Sequence, residues 1–181
     1  RLAEALLPLI DTGQDKAVQL ATAAVEGFAL EFERYWNETL RAKLGLREHD
    51  AKLAADFFTL MEQAKADYTL SFRALADAAE GNEHGFLALF GASAGASDWL
   101  TRWRPLLAAG AATAMRRVNP KFIPRNHRVE EALTAATAGD LGPLHTLLTV
   151  LQHPFDDQPG STIYAQPPED TATPYRTFCG T

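Results

Sequence analysis

The stretch RRVNPKFIPRNHR (116–128) gathers five cationic side chains, Arg116, Arg117, Lys121, Arg125 and Arg128, with His127 among them and no acid. The chain as a whole carries a formal charge of −6, so the residues outside this stretch sum to −11. A basic segment on an acidic protein has three uses: pairing with carboxylates of its own or a neighbouring domain, binding a small anion, or binding nucleic acid. Single-stranded nucleic acid calls for aromatic rings between the cations, and Phe122 is the one ring here. Structural or interdomain pairing is therefore the leading reading, a small anion the second, and no nucleic acid partner is expected.

The other reactive side chains do not assemble by spacing. His49, His84, His127, His145 and His153 contain no pair four residues apart with a carboxylate between, so no metal site is expected. The acid pairs Glu130-Glu131 and Asp156-Asp157 are adjacent, and neighbouring helical positions point apart, which defeats acid–base teamwork. GASAGAS (91–97) is rich in glycine but lacks the Lys-Ser/Thr ending of a phosphate-cradling loop, and reads as a flexible connector. No Ser/His/Asp elbow is visible, so no residue is assigned a catalytic role. Cys179 is the single cysteine, so no disulfide forms within the chain. That suits a reducing, cytoplasmic setting. A thiol three residues from the C-terminus in a Pro-rich tail is available for exchange rather than buried and inert.

These groups must be positioned by helices. Ala and Leu number 32 and 24, whereas Val and Ile number 5 and 3, a balance that favours helix over strand throughout. The expectation is an all-α helical bundle with an extended Pro-rich tail. No apolar run nears the ~20 residues that cross a bilayer, so no membrane partner is expected. Residues 1–13 read as the end of a preceding element, because RLAEALLPLI enters directly into a helical pattern. That opening suggests a piece of a longer protein. Leu2, Leu6, Leu7, Leu9 and Ile10 are apolar on several sides and should leave a partner surface uncovered, with self-association or a mobile N-terminus as the expected result.

Residues 14–155 read as the helical domain. A helix from about 14 to 44 shows the stripe Val18, Ala21, Val25, Phe28, Phe32, Tyr35, with Trp36, Leu40 and Leu44 beside it. So broad a face predicts cover on more than one side, with the aromatic rings packed in the core rather than lining a ligand pocket. Leu44-Gly45-Leu46 ends it. The stripe from Leu53 to Ala79 fits one long helix or two, with Asp67 capping the second; the second option is favoured. Ser97 is expected to cap a helix carrying Trp99, Leu100 and Trp103, which Pro105 kinks or ends. A further helical piece stops at Asn119-Pro120. Pro124 is expected to open the next helix, with Val129, Ala132, Leu133 and Ala136 buried. After Gly139, Asp140 caps an antiparallel partner that buries Leu141, Leu144, Leu148 and Leu151 and stops at Pro154. From 156 to 181 the composition turns to proline and glycine. An extended tail is expected, anchored by Ile163, Tyr164 and Phe178.

The run VNPKFIPRNHRVEEALTAATAGDLGPLHTLLTVLQHPF (118–155) resembles the C-terminal region of the selenoprotein O family of kinase-like protein adenylyltransferases. Asn119, Pro120, Arg125, Asn126, Gly139, Asp140, Leu144, His145, Pro154 and Phe155 carry the likeness. WNETLRAKLGL (36–46), DYTLSFRAL (67–75), Tyr164-Ala165, Pro167-Pro168 and the ending Phe178-Cys179-Gly180-Thr181 are similar too. The resemblance implies a longer parent with a kinase-like fold that binds ATP and magnesium in an inverted pose and transfers AMP to hydroxyl side chains of proteins. The residues that perform that transfer lie in the kinase-like part, which precedes Arg1, so none is carried over and no cofactor is assigned to residues 1–181. The implied partners are that kinase-like domain and the parent's protein substrates. The resemblance also implies a redox role for Cys179, paired with a cysteine of the kinase-like part. The alternative is a non-catalytic helical interaction module.

Overall fold

The computed structural model describes residues 1–91 and 94–168. Cys179 and Phe178, and with them the redox expectation and the anchoring expected of Phe178, lie outside the described residues. Among the described residues there are helices and no β-strand, apart from one isolated bridge between Leu46 and Leu107.

Two helices, α1 (Leu2–Ile10) and α2 (Gln14–Lys43), form an opening hairpin. The α2 terminus is closed by a Schellman motif. Leu46 N–H donates to Arg41 C=O and Gly45 N–H to Ala42 C=O, satisfying carbonyls that the helix leaves open. This fold needs glycine at position 45. Its φ is +67°, and a Cβ there would stand 2.9 Å from Met115 Sδ and 3.1 Å from Ala111 Cβ.

Next come α3 (Ala51–Ala64) and α4 (Tyr68–Ala79), two helices rather than one. Asp50 caps α3 through Leu53 N–H at 2.9 Å, and Asp67 caps α4 through Leu70 N–H at 2.8 Å. α5 (His84–Phe90) follows, then α6 (Ala94–Trp103). Here the connector expectation fails in part: the helix begins within GASAGAS, so Ser97 is an internal residue and not the cap. Alanine is the strongest helix former, and Ala96 is fully buried, so local propensity and packing agree. Pro105 ends α6 in a 3-10 turn over Arg104–Leu106, and α7 (Ala111–Val118) stops at Asn119.

The core lies among α3 to α7 and the end of α2. Phe57 sits at its centre, stacked on Trp99 at 4.7 Å and meeting Phe72 edge-on at 5.1 Å. Both core tryptophans are fully buried and satisfied: Trp99 Nε1 donates to Leu53 C=O at 2.9 Å and Trp103 Nε1 to Leu44 C=O at 2.8 Å.

The α2 aromatic rings are not in that core, against expectation. Phe28, Phe32 and Trp36 are 67%, 55% and 46% exposed, and Val25 and Tyr35 are also exposed. Periodicity specifies an apolar face but not what covers it. Within this chain the chief neighbours of α2 are α1 and, near its C-terminal end, α7. Leu2, Leu6, Leu9 and Ile10 of α1 are exposed as well.

The last pair, α8 (Asn126–Thr137) and α9 (Gly142–Gln152), packs chiefly on itself as an antiparallel hairpin. Asp140 accepts from Gly142 N–H at 2.9 Å at the turn. Pro124 lies two residues ahead of α8 rather than at its first position, and Arg125 is the capping residue. The inner line of the hairpin is Ala132, Leu147 and Val150, while Leu133, Leu141 and Leu148 are exposed. A two-helix hairpin offers each helix a single facing line, narrower than the expected faces. Beyond Pro154, residues Thr162–Ala165 form a short helix, α10. Ala165 and the half-buried Tyr164 pack on Phe122, Val150 and Leu151, while Ile163 is exposed.

Candidate functional site

The basic stretch 116–128 leaves α7, crosses the Asn119-Pro120 turn and enters α8. Four of its five cations meet carboxylates of the same chain. Arg116 reaches across to the end of α4, donating to Asp77 at 2.7 Å and to Glu80 at 2.8 and 2.6 Å. The Glu80 and Asp77 bonds hold its guanidinium well above the ordinary arginine value. Lys121 Nζ lies 2.7 Å from Asp157. Arg128 pairs with Glu131 within its own helix at 2.8 Å. Arg117 is exposed and has no ion pair among the described residues.

Arg125 is the most buried of the five, 9% exposed. Its fork grips Asp67 bidentately at 2.6 and 2.9 Å, and its Nη2 also donates to Ala165 C=O at 3.0 Å. Burial pushes the Asp67 carboxyl up, but the bonds from Arg125 and from Leu70 N–H outweigh it, leaving the group below the ordinary aspartate value. Breaking such a buried pair by removing one partner typically costs ~3–5 kcal/mol, because the other charge is stranded. His127 beside it is pushed down, first by burial and then by the charge of Arg128.

Two residues outside the predicted set complete the arrangement. Arg73, on α4, donates from Nη1 to the carbonyls of Arg116, Asn119 and Phe155 at 3.1, 3.2 and 3.0 Å. Asn119 is fully buried, and its Nδ2 donates to Lys43 C=O at 2.8 Å and Phe72 C=O at 3.3 Å. The segment thereby ties α2, α4, α7, α8 and the 155–165 stretch together. Arg73 carried one sequence signal, its place in DYTLSFRAL; nothing in its spacing told which carbonyls it would meet. Asp157 was legible only as half of an acid pair.

Two surface depressions among the described residues lie away from these cations, one lined by Arg47, Glu48, His49 and Asp50, another by Asp56, Asp98 and Arg102. Among the described residues no cluster of three or more His, Cys, Asp or Glu stands ready to hold a metal. No helix among the described residues is long and apolar enough to cross a membrane.

Residues 1–152 match the family of the protein adenylyltransferase SelO. The chain belongs to that family. The match begins at residue 1, well before the Trp36 at which the resemblance becomes legible by eye. Relatives named protein nucleotidyltransferase YdiU align along the whole chain. The protein from Bradyrhizobium sp. is 47% identical, that from Rhizobium etli 44%, and that from Cereibacter sphaeroides 46%. The chain spans 39%, 39% and 38% of their respective lengths.

Proposed function

We propose that residues 1–181 are the C-terminal helical part of a protein adenylyltransferase that moves AMP from ATP to hydroxyl side chains of other proteins. ATP and magnesium are held in this reading by a kinase-like part of the same cytoplasmic polypeptide, and the helical part alone is inactive. The observation that carries the reading is the uncovered aromatic row of α2, taken with coverage of about 39% of each relative. Phe28 lies tilted against Phe32 at 5.9 Å, Phe32 stacks on Trp36 at 6.0 Å and Trp36 on Phe58 at 6.2 Å, so the row presents a continuous apolar ridge. Covering three half-exposed rings contributes on the order of 3–5 kcal/mol. A ridge that size beside the exposed α1 leucines suits the remaining part of the family polypeptide as its cover. Cys179 then serves as a redox tether: its thiol and one in the kinase-like part form a disulfide, passing two electrons and two protons to a disulfide oxidant.

The test is co-purification of residues 1–181 with the separately expressed remainder of the parent. The wild-type piece is expected to be retained and Phe32→Glu/Trp36→Glu to be lost. Equal retention of both would remove the α2 ridge as the contact and favour an independent interaction module.

A further inference from the structure

One helix holds both ends of the stretch that leads to the C-terminus. At the start, Arg73 of α4 donates to Phe155 C=O at 3.0 Å, with Asp157 3.5 Å from its Nη2 and 2.7 Å from Lys121. At the finish, Arg125 is fixed by Asp67, the capping residue of the same α4, and donates to Ala165 C=O at 3.0 Å. Between them, Gln158 Nε2 donates back to Val150 and His153 carbonyls at 2.9 and 2.8 Å. Both guanidinium groups are nearly covered, with side chains 12% and 9% exposed, so they are fixed points rather than surface arms.

We propose that α4 works as a mount for the 155–168 segment, with Arg73 and Arg125 as positioning residues that set its course across the helical body. The groups they grip at the two ends are main-chain carbonyls. The hold therefore does not depend on the side chains of residues 159–164, and a charge-assisted bond to a carbonyl outlasts a neutral one. The mount is independent of the redox role proposed for Cys179 and of the identity of the transferred group.

Hydrogen exchange by mass spectrometry on the full-length polypeptide tests this. Arg125→Lys keeps a positive charge beside Asp67 but lacks the planar fork that reaches Asp67 and Ala165 together. Amides in 156–168 are expected to exchange about tenfold faster in Arg125→Lys and in Arg73→Met, while those of α3 and α5 stay at wild-type rates. Arg128→Met, whose partner lies in its own helix, should leave 156–168 unchanged. Should Arg73→Met fail to fold, Arg125→Lys decides alone. Wild-type exchange in 156–168 for Arg125→Lys overturns the mount, as does an equal acceleration in α3 and α5, which would make Arg125 a general stabiliser.

Discussion

Replacing Asn119 by alanine should cost about 3 kcal/mol of folding free energy. The figure follows from what its amide does. Lys43 C=O lies in the last turn of α2, where helical carbonyls have no intrahelical donor, and Asn119 Nδ2 supplies one at 2.8 Å. Losing that bond removes ~1 kcal/mol, and stranding a buried acceptor adds ~1–3 kcal/mol. The longer bond to Phe72 C=O, at 3.3 Å, adds little because that carbonyl keeps its helical partner. The folding equilibrium should therefore fall by roughly a hundredfold. Asn119→Asp has the same shape but cannot donate at neutral pH, so it should be worse than alanine. Its buried carboxyl would have a raised folded pKa, and the penalty should shrink as pH falls through that value. Urea unfolding followed by tryptophan fluorescence reads these changes, since Trp99 and Trp103 are fully buried. An Asn119→Ala variant within about 0.5 kcal/mol of wild type would refute the bridging role.

Gly45→Ala should destabilise by roughly 2 kcal/mol, from the positive φ and from the crowding against Met115 and Ala111, measurable in the same titration. Asp67→Asn keeps a capping oxygen but loses the charge pair with Arg125. Because the folded pKa of Asp67 is depressed, its contribution is complete above about pH 4 and is lost as pH falls through the folded value. The stability gap between wild type and Asp67→Asn should thus be full at pH 7 and narrow toward pH 3; a gap that widens on acidification would contradict the assignment. Cys179→Ala in the full-length protein should abolish the response of AMP transfer to reductant, and an identical response in both proteins would remove the redox role.

Much of the fold was legible because several local rules agreed. Asp67 separated α3 from α4, Gly45 ended α2, and Asn119-Pro120 stopped α7, each through a backbone requirement written in one or two residues. What the sequence hid was the identity of neighbours. The α2 stripe showed an apolar face without saying that the described residues leave it exposed, and Leu133, Leu141 and Leu148 looked as buriable as Leu147. Ser97 misled because a serine before a tryptophan-bearing helix is a capping pattern, while the alanines ahead of it extend the helix. The basic segment was visible as charge, yet its partners were not: Asp67 lies 58 residues from Arg125 and Phe155 lies 82 from Arg73. Contacts at such separations come from the packing of α4 against α7 and from the path of the chain after α9, which no short-range pattern encodes.

The most direct measurement is transfer of AMP from ATP labelled on its α-phosphate, with magnesium and a mixture of acceptor proteins, comparing residues 1–181 with the full-length polypeptide. The full-length protein should place label on hydroxyl side chains, and residues 1–181 should place none. Label transferred by residues 1–181 alone would contradict the assignment of the chemistry to the kinase-like part.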